Sequence, residues 1–215
     1  MAWVVLLRGV NVGRKTFRPS QVVRELPELD LVSIGAAGTF VVRGPATPAQ
    51  IRERIRSKLP FEAEIMIVPG RAIQELVLSD PLRADRRAPG VRGFLAVAAR
   101  PWPSPVTVPI FAPSESRWEV EVRSVAGPLA WGVRRRLGPK LIYPTEVLER
   151  SFGLACTTRW WETVEEVARA MTPDTNVAGG FGRDPGTPPE GTRPRRHPDG
   201  RVGSKRPSQP RVKRT

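Results

Sequence analysis

Two stretches of this 215-residue chain hold polar groups whose types and spacing could receive a ligand. The first is Leu6-Leu7-Arg8-Gly9-Val10-Asn11-Val12-Gly13, where Arg8 and Asn11 follow an apolar run and Gly9 and Gly13 ease the turn. The second is Thr157-Thr158-Arg159-Trp160-Trp161-Glu162-Thr163-Val164, with two hydroxyls and a guanidinium just ahead of a helical pattern. Guanidinium, amide and hydroxyl donors beside a helix start suit an anion, which takes charge-assisted hydrogen bonds from all of them. A purely structural account also fits each stretch. In the first, Arg8 forms a surface ion pair and Asn11 completes a turn. In the second, Thr157 or Thr158 caps the last helix, Trp161 packs in the core and Arg159 is solvated.

Other chemistries are narrowed by what the chain lacks. Its one histidine, His197, lies near the C-terminus, away from the part that patterns as folded, so a histidine base or His-ligated metal is not expected there. One cysteine, Cys156, allows neither an internal disulfide nor a CxxC zinc site. Gly9-x-x-x-Gly13-Arg14-Lys15 has neither the P-loop nor the dinucleotide spacing. No cofactor and no metal site are therefore implied. An enzyme built from this sequence would work with Arg, Lys, Asp, Glu and hydroxyls.

The net charge is +14, of which residues 173–215 supply a surplus of six from ten Lys/Arg and four Asp/Glu. That balance is compatible with acidic ligands or weak nonspecific nucleic-acid binding through the tail. The same Arg, Pro and Gly bias also follows from genome base composition, so charge alone names no partner, and the oligomeric state is not legible. No stretch approaches the ~18 apolar residues of a membrane span, and a single thiol fits a reducing compartment. A cytoplasmic protein is expected, with no membrane partner.

The elements that must position these groups follow from periodicity. Trp3 to Leu7 reads as a strand buried on both faces, and Arg8 stands where it ends. Ser20 starts a short helix that Pro27 stops, and Leu31–Gly35 with Thr39–Arg43 form a hairpin across Gly35-Ala36-Ala37-Gly38. Thr47-Pro48-Ala49-Gln50 is a capping box opening a helix to about Leu59, and Glu64–Pro69 is a further strand. Strand, helix, strand, strand, helix, strand is the split βαβ order of a ferredoxin-like unit over residues 1–69. Residues 70–172 make a second α+β half. It has a helix over 72–78, strands over 94–99, 107–111, 118–125 and 129–134, a helix over 144–152 and a last helix over 162–171. Residues 154–161 read as the link between those last two helices. Residues 173–215 hold eight Pro and seven Gly with Phe181 as their one aromatic. Such a tract cannot offset the roughly 1 to 2 kcal/mol per residue of ordering its backbone, and it is expected to be disordered.

The two polar stretches also carry a resemblance. Leu6-Leu7-Arg8-Gly9-Val10-Asn11-Val12-Gly13 is similar to LLRGINVGG, and Thr157-Thr158-Arg159-Trp160-Trp161-Glu162-Thr163-Val164 to TTRNWNTV, the opening and closing motifs of the bacterial domain-of-unknown-function family 1697. Gly138-Pro139-Lys140-Leu141 resembles that family's SKL turn, and Gly38-Thr39-Phe40-Val41-Val42 falls at its SGNVVF. The resemblance covers residues 1–171 and implies an α+β fold of two ferredoxin-like halves, with no established activity. It implies a polar surface of Arg8, Asn11, Lys140, Thr157, Thr158 and Arg159, with Gly9, Gly13, Gly38 and Trp161 as structural positions. The chain departs from the pattern at Arg14, Ala37, Thr39 and Trp160, which replace Gly, Ser, Asn and Asn. Binding of a small anionic or phosphorylated ligand is the first function expected, ahead of nonspecific nucleic-acid binding and of an enzyme acting without histidine or metal.

Overall fold

Four consecutive side chains, Val4, Val5, Leu6 and Leu7, are each at most 2% exposed, and they make β1 (Trp3–Arg8) a strand covered on both faces. In the computed structural model, which describes residues 1–10 and 18–172, β1 is followed by α1 (Pro19–Glu25), β2 (Leu31–Ile34), β3 (Thr39–Val42), α2 (Pro48–Lys58) and β4 (Glu64–Pro69). These strands form one antiparallel sheet in the order β2-β3-β1-β4, the interleaving that a split βαβ unit produces. The capping box holds in detail. Thr47 Oγ1 accepts from the Gln50 amide at 3.3 Å, while Gln50 Oε1 accepts from the Thr47 amide at 2.9 Å. Helix α1 opens differently from the expectation. Arg18 rather than Ser20 is its cap, because Pro19 takes the first helical position, where a missing N–H costs nothing.

The second half runs α3 (Gly70–Ser79), β5 (Val91–Ala98), β6 (Ile110–Ala112), β7 (Val120–Ala126), β8 (Leu129–Arg135), α4 (Pro144–Phe152), β9 (Cys156–Trp160) and α5 (Trp161–Ala170). Its sheet is antiparallel in the order β6-β7-β8-β5-β9. The run β7-β8-β5-β9 repeats the order of the first sheet. Where the first half has α1, however, the second has a segment with Pro101, Pro103, Pro105 and Pro109 and the short edge strand β6. Proline withholds the amide donors that a helix interior needs, which explains the missing helix. A larger correction concerns residues 154–161. They are not a link between helices, since Cys156–Trp160 pairs with β5 as an edge strand.

The chain is therefore α+β, with two antiparallel sheets and five helices among the described residues. Val5, Phe40, Ile51 and Ile55 form a core between the first sheet and α1 and α2, and Phe94, Val120, Leu148 and Cys156 form one between the second sheet and α4. A third core is shared: Val4, Leu6, Val41 and Val68 of the first sheet meet Leu95, Val97 and Val133 of the second, with Ile73 of α3 and Trp161, Val164 and Val167 of α5. Each half thus lends one sheet face to the other. No described helix is long and apolar enough to cross a membrane. The tail, residues 173–215, and the turn residues Asn11 and Gly13 lie outside the described residues.

Candidate functional site

β9 brings the two polar stretches together. Arg159 is 9% exposed, and its guanidinium reaches across to the end of β1 and to the β2–β3 hairpin. Nε donates to Thr39 Oγ1 at 2.6 Å, Nη1 to Thr157 Oγ1 and to the Thr158 carbonyl at 2.8 Å each, and Nη2 to the carbonyls of Leu7 at 3.1 Å and Ala37 at 2.7 Å. All five N–H groups of the side chain are thereby used, and no acceptor among them is a carboxylate. Burial lowers the Arg159 pKa to about 10, so the group stays charged at neutral pH inside a cage of neutral oxygens.

Gly38 makes that cage possible. It sits at φ +67°, and an added Cβ would lie 2.9 Å from the Cβ of Leu7. Only a glycine lets the hairpin come this close, with the Leu7 amide donating to the Gly38 carbonyl at 2.8 Å and the Ala37 carbonyl turned to Arg159. Ala37 and Thr39 contribute a carbonyl and a hydroxyl here, and both go to Arg159.

Strand alternation separates the remaining candidates. Thr157 is buried and, like Arg159, faces the first half, its hydroxyl donating to the Leu7 carbonyl at 3.4 Å. Thr158 faces the other way, its hydroxyl 2.9 Å from that of Thr145 on α4. Neither threonine caps the last helix. Trp160 is the cap residue of α5 and makes no side-chain cap bond, so a site of helix-start amides with Thr hydroxyls does not form. Trp161 is fully buried in the shared core. Lys140 is exposed on the turn after β8 and forms no hydrogen bond or ion pair with another described candidate.

Arg8 stands at the end of β1 beside a cleft of about 950 Å³ lined also by Arg56 and by residues 59–64. Its Nε donates to Glu149 Oε1 at 3.0 Å, with Nη2 2.9 Å from the same oxygen, and Nη1 donates to Glu64 Oε1 at 3.3 Å. Glu149 also accepts from the Cys156 amide at 3.1 Å, which locks the α4 carboxylate in place. The Arg8 side chain remains about one-third exposed, and at least two of its five N–H groups have no partner among the described residues. Gly9 follows at φ +81°, and no described atom lies within 4 Å of where its Cβ would stand. Glu64, Glu149, Thr39 and Arg56 were not legible as site residues. Only Thr39 carried a signal, at the position of the family's SGN; the others depend on which elements pack beside the end of β1. Among the described residues no cluster of His, Cys, Asp and Glu could hold a metal ion.

The chain matches no family model and no curated protein. Among solved structures it is similar to the conserved bacterial protein SP0830 from Streptococcus pneumoniae, at 13% sequence identity and a TM-score of 0.49, over 79% of this chain and 97% of that one. A likeness of that degree transfers neither a fold nor a function.

Proposed function

We propose that the chain binds a small anionic or phosphorylated ligand in the cleft at the end of β1, with Arg8 as the receiving group. The support is a contrast between two arginines. Arg159 has every N–H committed to protein oxygens, whereas Arg8 has at least two with no partner among the described residues and lines the cleft. Glu64 and Glu149 hold the Arg8 guanidinium by part of its edge, so the free N–H groups are pre-oriented for two oxygens of one anion. Arg56, at the cleft wall and more than half exposed, adds a second positive charge. In this reading Arg159, Thr157 and Gly38 tie the hairpin and β9 to the end of β1 and do not touch the ligand. The reading takes the chain as a divergent member of family 1697, on the strength of the two end motifs, and as a cytoplasmic protein, on the strength of its lone thiol.

Thermal unfolding of the wild type and of Arg8→Gln tests this with inorganic phosphate, pyrophosphate and a nucleoside monophosphate as probes. A ligand present at a hundred times its Kd adds about 2.7 kcal/mol to the folded state, a readily measured rise in Tm. At least one probe is expected to raise the wild-type Tm saturably and to leave Arg8→Gln unmoved. A flat response to all three, or an equal response in the variant, overturns the proposal.

A further inference from the structure

The α4 side of the second sheet carries a basic and aromatic cluster that lies outside the cleft. Arg92 of β5 lies directly opposite Arg134 of β8, and Phe94 is opposite Trp160 of β9, which places Arg92, Arg134 and Trp160 on one face. Like charges paired across strands destabilise a sheet unless something answers them. Arg92 has Glu162 at 3.2 Å, but Arg134 has no carboxylate among the described residues, and its Nη2 is shielded from solvent without a partner. The guanidinium of Arg92 stands 4.3 Å from the Trp160 ring centre, and that of Arg134 stands 5.8 Å from it and 5.9 Å from Tyr143. The Tyr143 residue is 47% exposed. On the adjoining turn Arg136 and Lys140 are exposed and form no ion pair with a described residue. In the first half the corresponding sheet face lies under two helices, whereas here α4 is the one helix that covers it.

We propose that Arg92, Arg134, Arg136, Lys140, Tyr143 and Trp160 form a binding face for single-stranded nucleic acid. The exposed Arg136 and Lys140 neutralise phosphates, Arg92 and Arg134 add positive charge behind them, and a base stacks on Tyr143 beside the guanidinium planes. The half-exposed Tyr143 ring among cations selects this partner over an acidic peptide or a duplex. Those would use the charge but leave the ring without a base to stack on.

The test is fluorescence anisotropy on the full chain, with labelled oligo(dT) and oligo(rU) of about 12 nucleotides and a matched DNA duplex, across ~50 to 200 mM salt. Single strands should bind more tightly than the duplex. Tyr143→Ala should weaken single-strand binding roughly 5- to 150-fold, the range for losing one stacked base. The double variant Arg136→Gln/Lys140→Gln should flatten the slope of log affinity on log salt by about 1.4, or ~0.7 for each phosphate that is no longer neutralised. Arg8→Gln should bind as the wild type does, which separates this face from the cleft. The tail carries ten Lys/Arg of its own, and charge-only binding through it would leave both face variants at wild-type affinity. That result overturns the proposal, as does duplex binding as tight as single-strand binding. So does a Tyr143→Ala variant that binds normally while the charge variants lose affinity.

Discussion

Arg159 Nη2 donates to the main-chain oxygen of Leu7 at 3.1 Å, joining residues 152 positions apart. The acceptor is available because the pairing of β1 with β3 ends at Leu6 and Thr39, where the hairpin turns away. A carbonyl at the end of a ladder and buried from water needs a donor, and the arginine supplies it from the other half of the protein. The same guanidinium satisfies the Ala37 and Thr158 carbonyls and the Thr39 and Thr157 hydroxyls. The residue that most resembles an anion receiver in the sequence is thus the tie between the two sheets.

Removing that tie should be costly. Arg159→Met removes the donor from the Ala37 and Thr158 carbonyls and the Thr39 and Thr157 hydroxyls and leaves the Leu7 carbonyl with the Thr157 hydroxyl alone. With each buried unsatisfied group costing about 1 to 3 kcal/mol before relaxation, a net loss of roughly 3 to 5 kcal/mol is expected. Arg159→Lys keeps the charge but not the planar fork, so it should fall between the wild type and Arg159→Met. Urea unfolding measures both. A loss below about 1 kcal/mol for Arg159→Met would show that the bonds contribute little to the folded state.

Gly38→Ala should destabilise the protein more than Gly9→Ala. Both residues have positive φ, at +67° and +81°, so each substitution carries the left-handed backbone penalty of roughly 1 kcal/mol. At Gly38 the new methyl also meets Leu7 at 2.9 Å, whereas at Gly9 it meets no described atom within 4 Å. The clash would push the hairpin from β1 and open the Arg159 cage. Equal unfolding midpoints for the two variants would mean that the hairpin yields without cost.

Cys156 should be inert in the folded protein. Burial first, and then the Glu149 carboxylate, push its pKa from 9.0 to about 12. The raised value means that the neutral thiol favours the fold below pH 9, and that this advantage is lost as pH rises from 9 toward 12. The stability difference between the wild type and Cys156→Ala should therefore be constant from pH 6 to 8 and shrink by about 1.4 kcal/mol by pH 10. Iodoacetamide at pH 8 should modify the thiol only after denaturant is added. Rapid alkylation of the native protein would place the thiol at the surface.

Much of the fold was legible because it rests on local rules. The capping box at Thr47, the hairpin across residues 35–38, and Gly153 after α4, at φ +61°, each follow from residues within a few positions of one another. The polar cluster at residues 157–161 was misread because its conformation is not local. Cys156–Trp160 is a strand only because β5 offers it an edge, and once it is a strand, Thr157 and Arg159 must face away from Thr158 and Trp160. Proximity in sequence suggested one site, whereas the two-residue period of a strand divides it between the two halves. Glu149 was invisible for a related reason, since a carboxylate on α4 finds Arg8 only after both halves have packed.

The pair of Arg8 and Glu149 separates a structural from a functional role. Both side chains are partly solvated, at 36% and 28% exposed, so their direct coupling in a double-mutant cycle of Arg8→Gln and Glu149→Gln should be modest, about 1 kcal/mol or less. Glu149→Gln alone should cost little, because its amide oxygen can still accept from the Cys156 amide, the bond that the carboxylate now accepts at 3.1 Å. The anion response should behave differently. With Glu149→Gln the Arg8 guanidinium loses a competing negative charge, so affinity for phosphate or pyrophosphate should rise, whereas Arg8→Gln should abolish it. Opposite shifts in probe affinity alongside near-equal stabilities would identify Arg8 as a group held ready for a ligand. Variants that lose stability in parallel, with no change in the anion response, would make the pair a plain structural contact between β1 and α4.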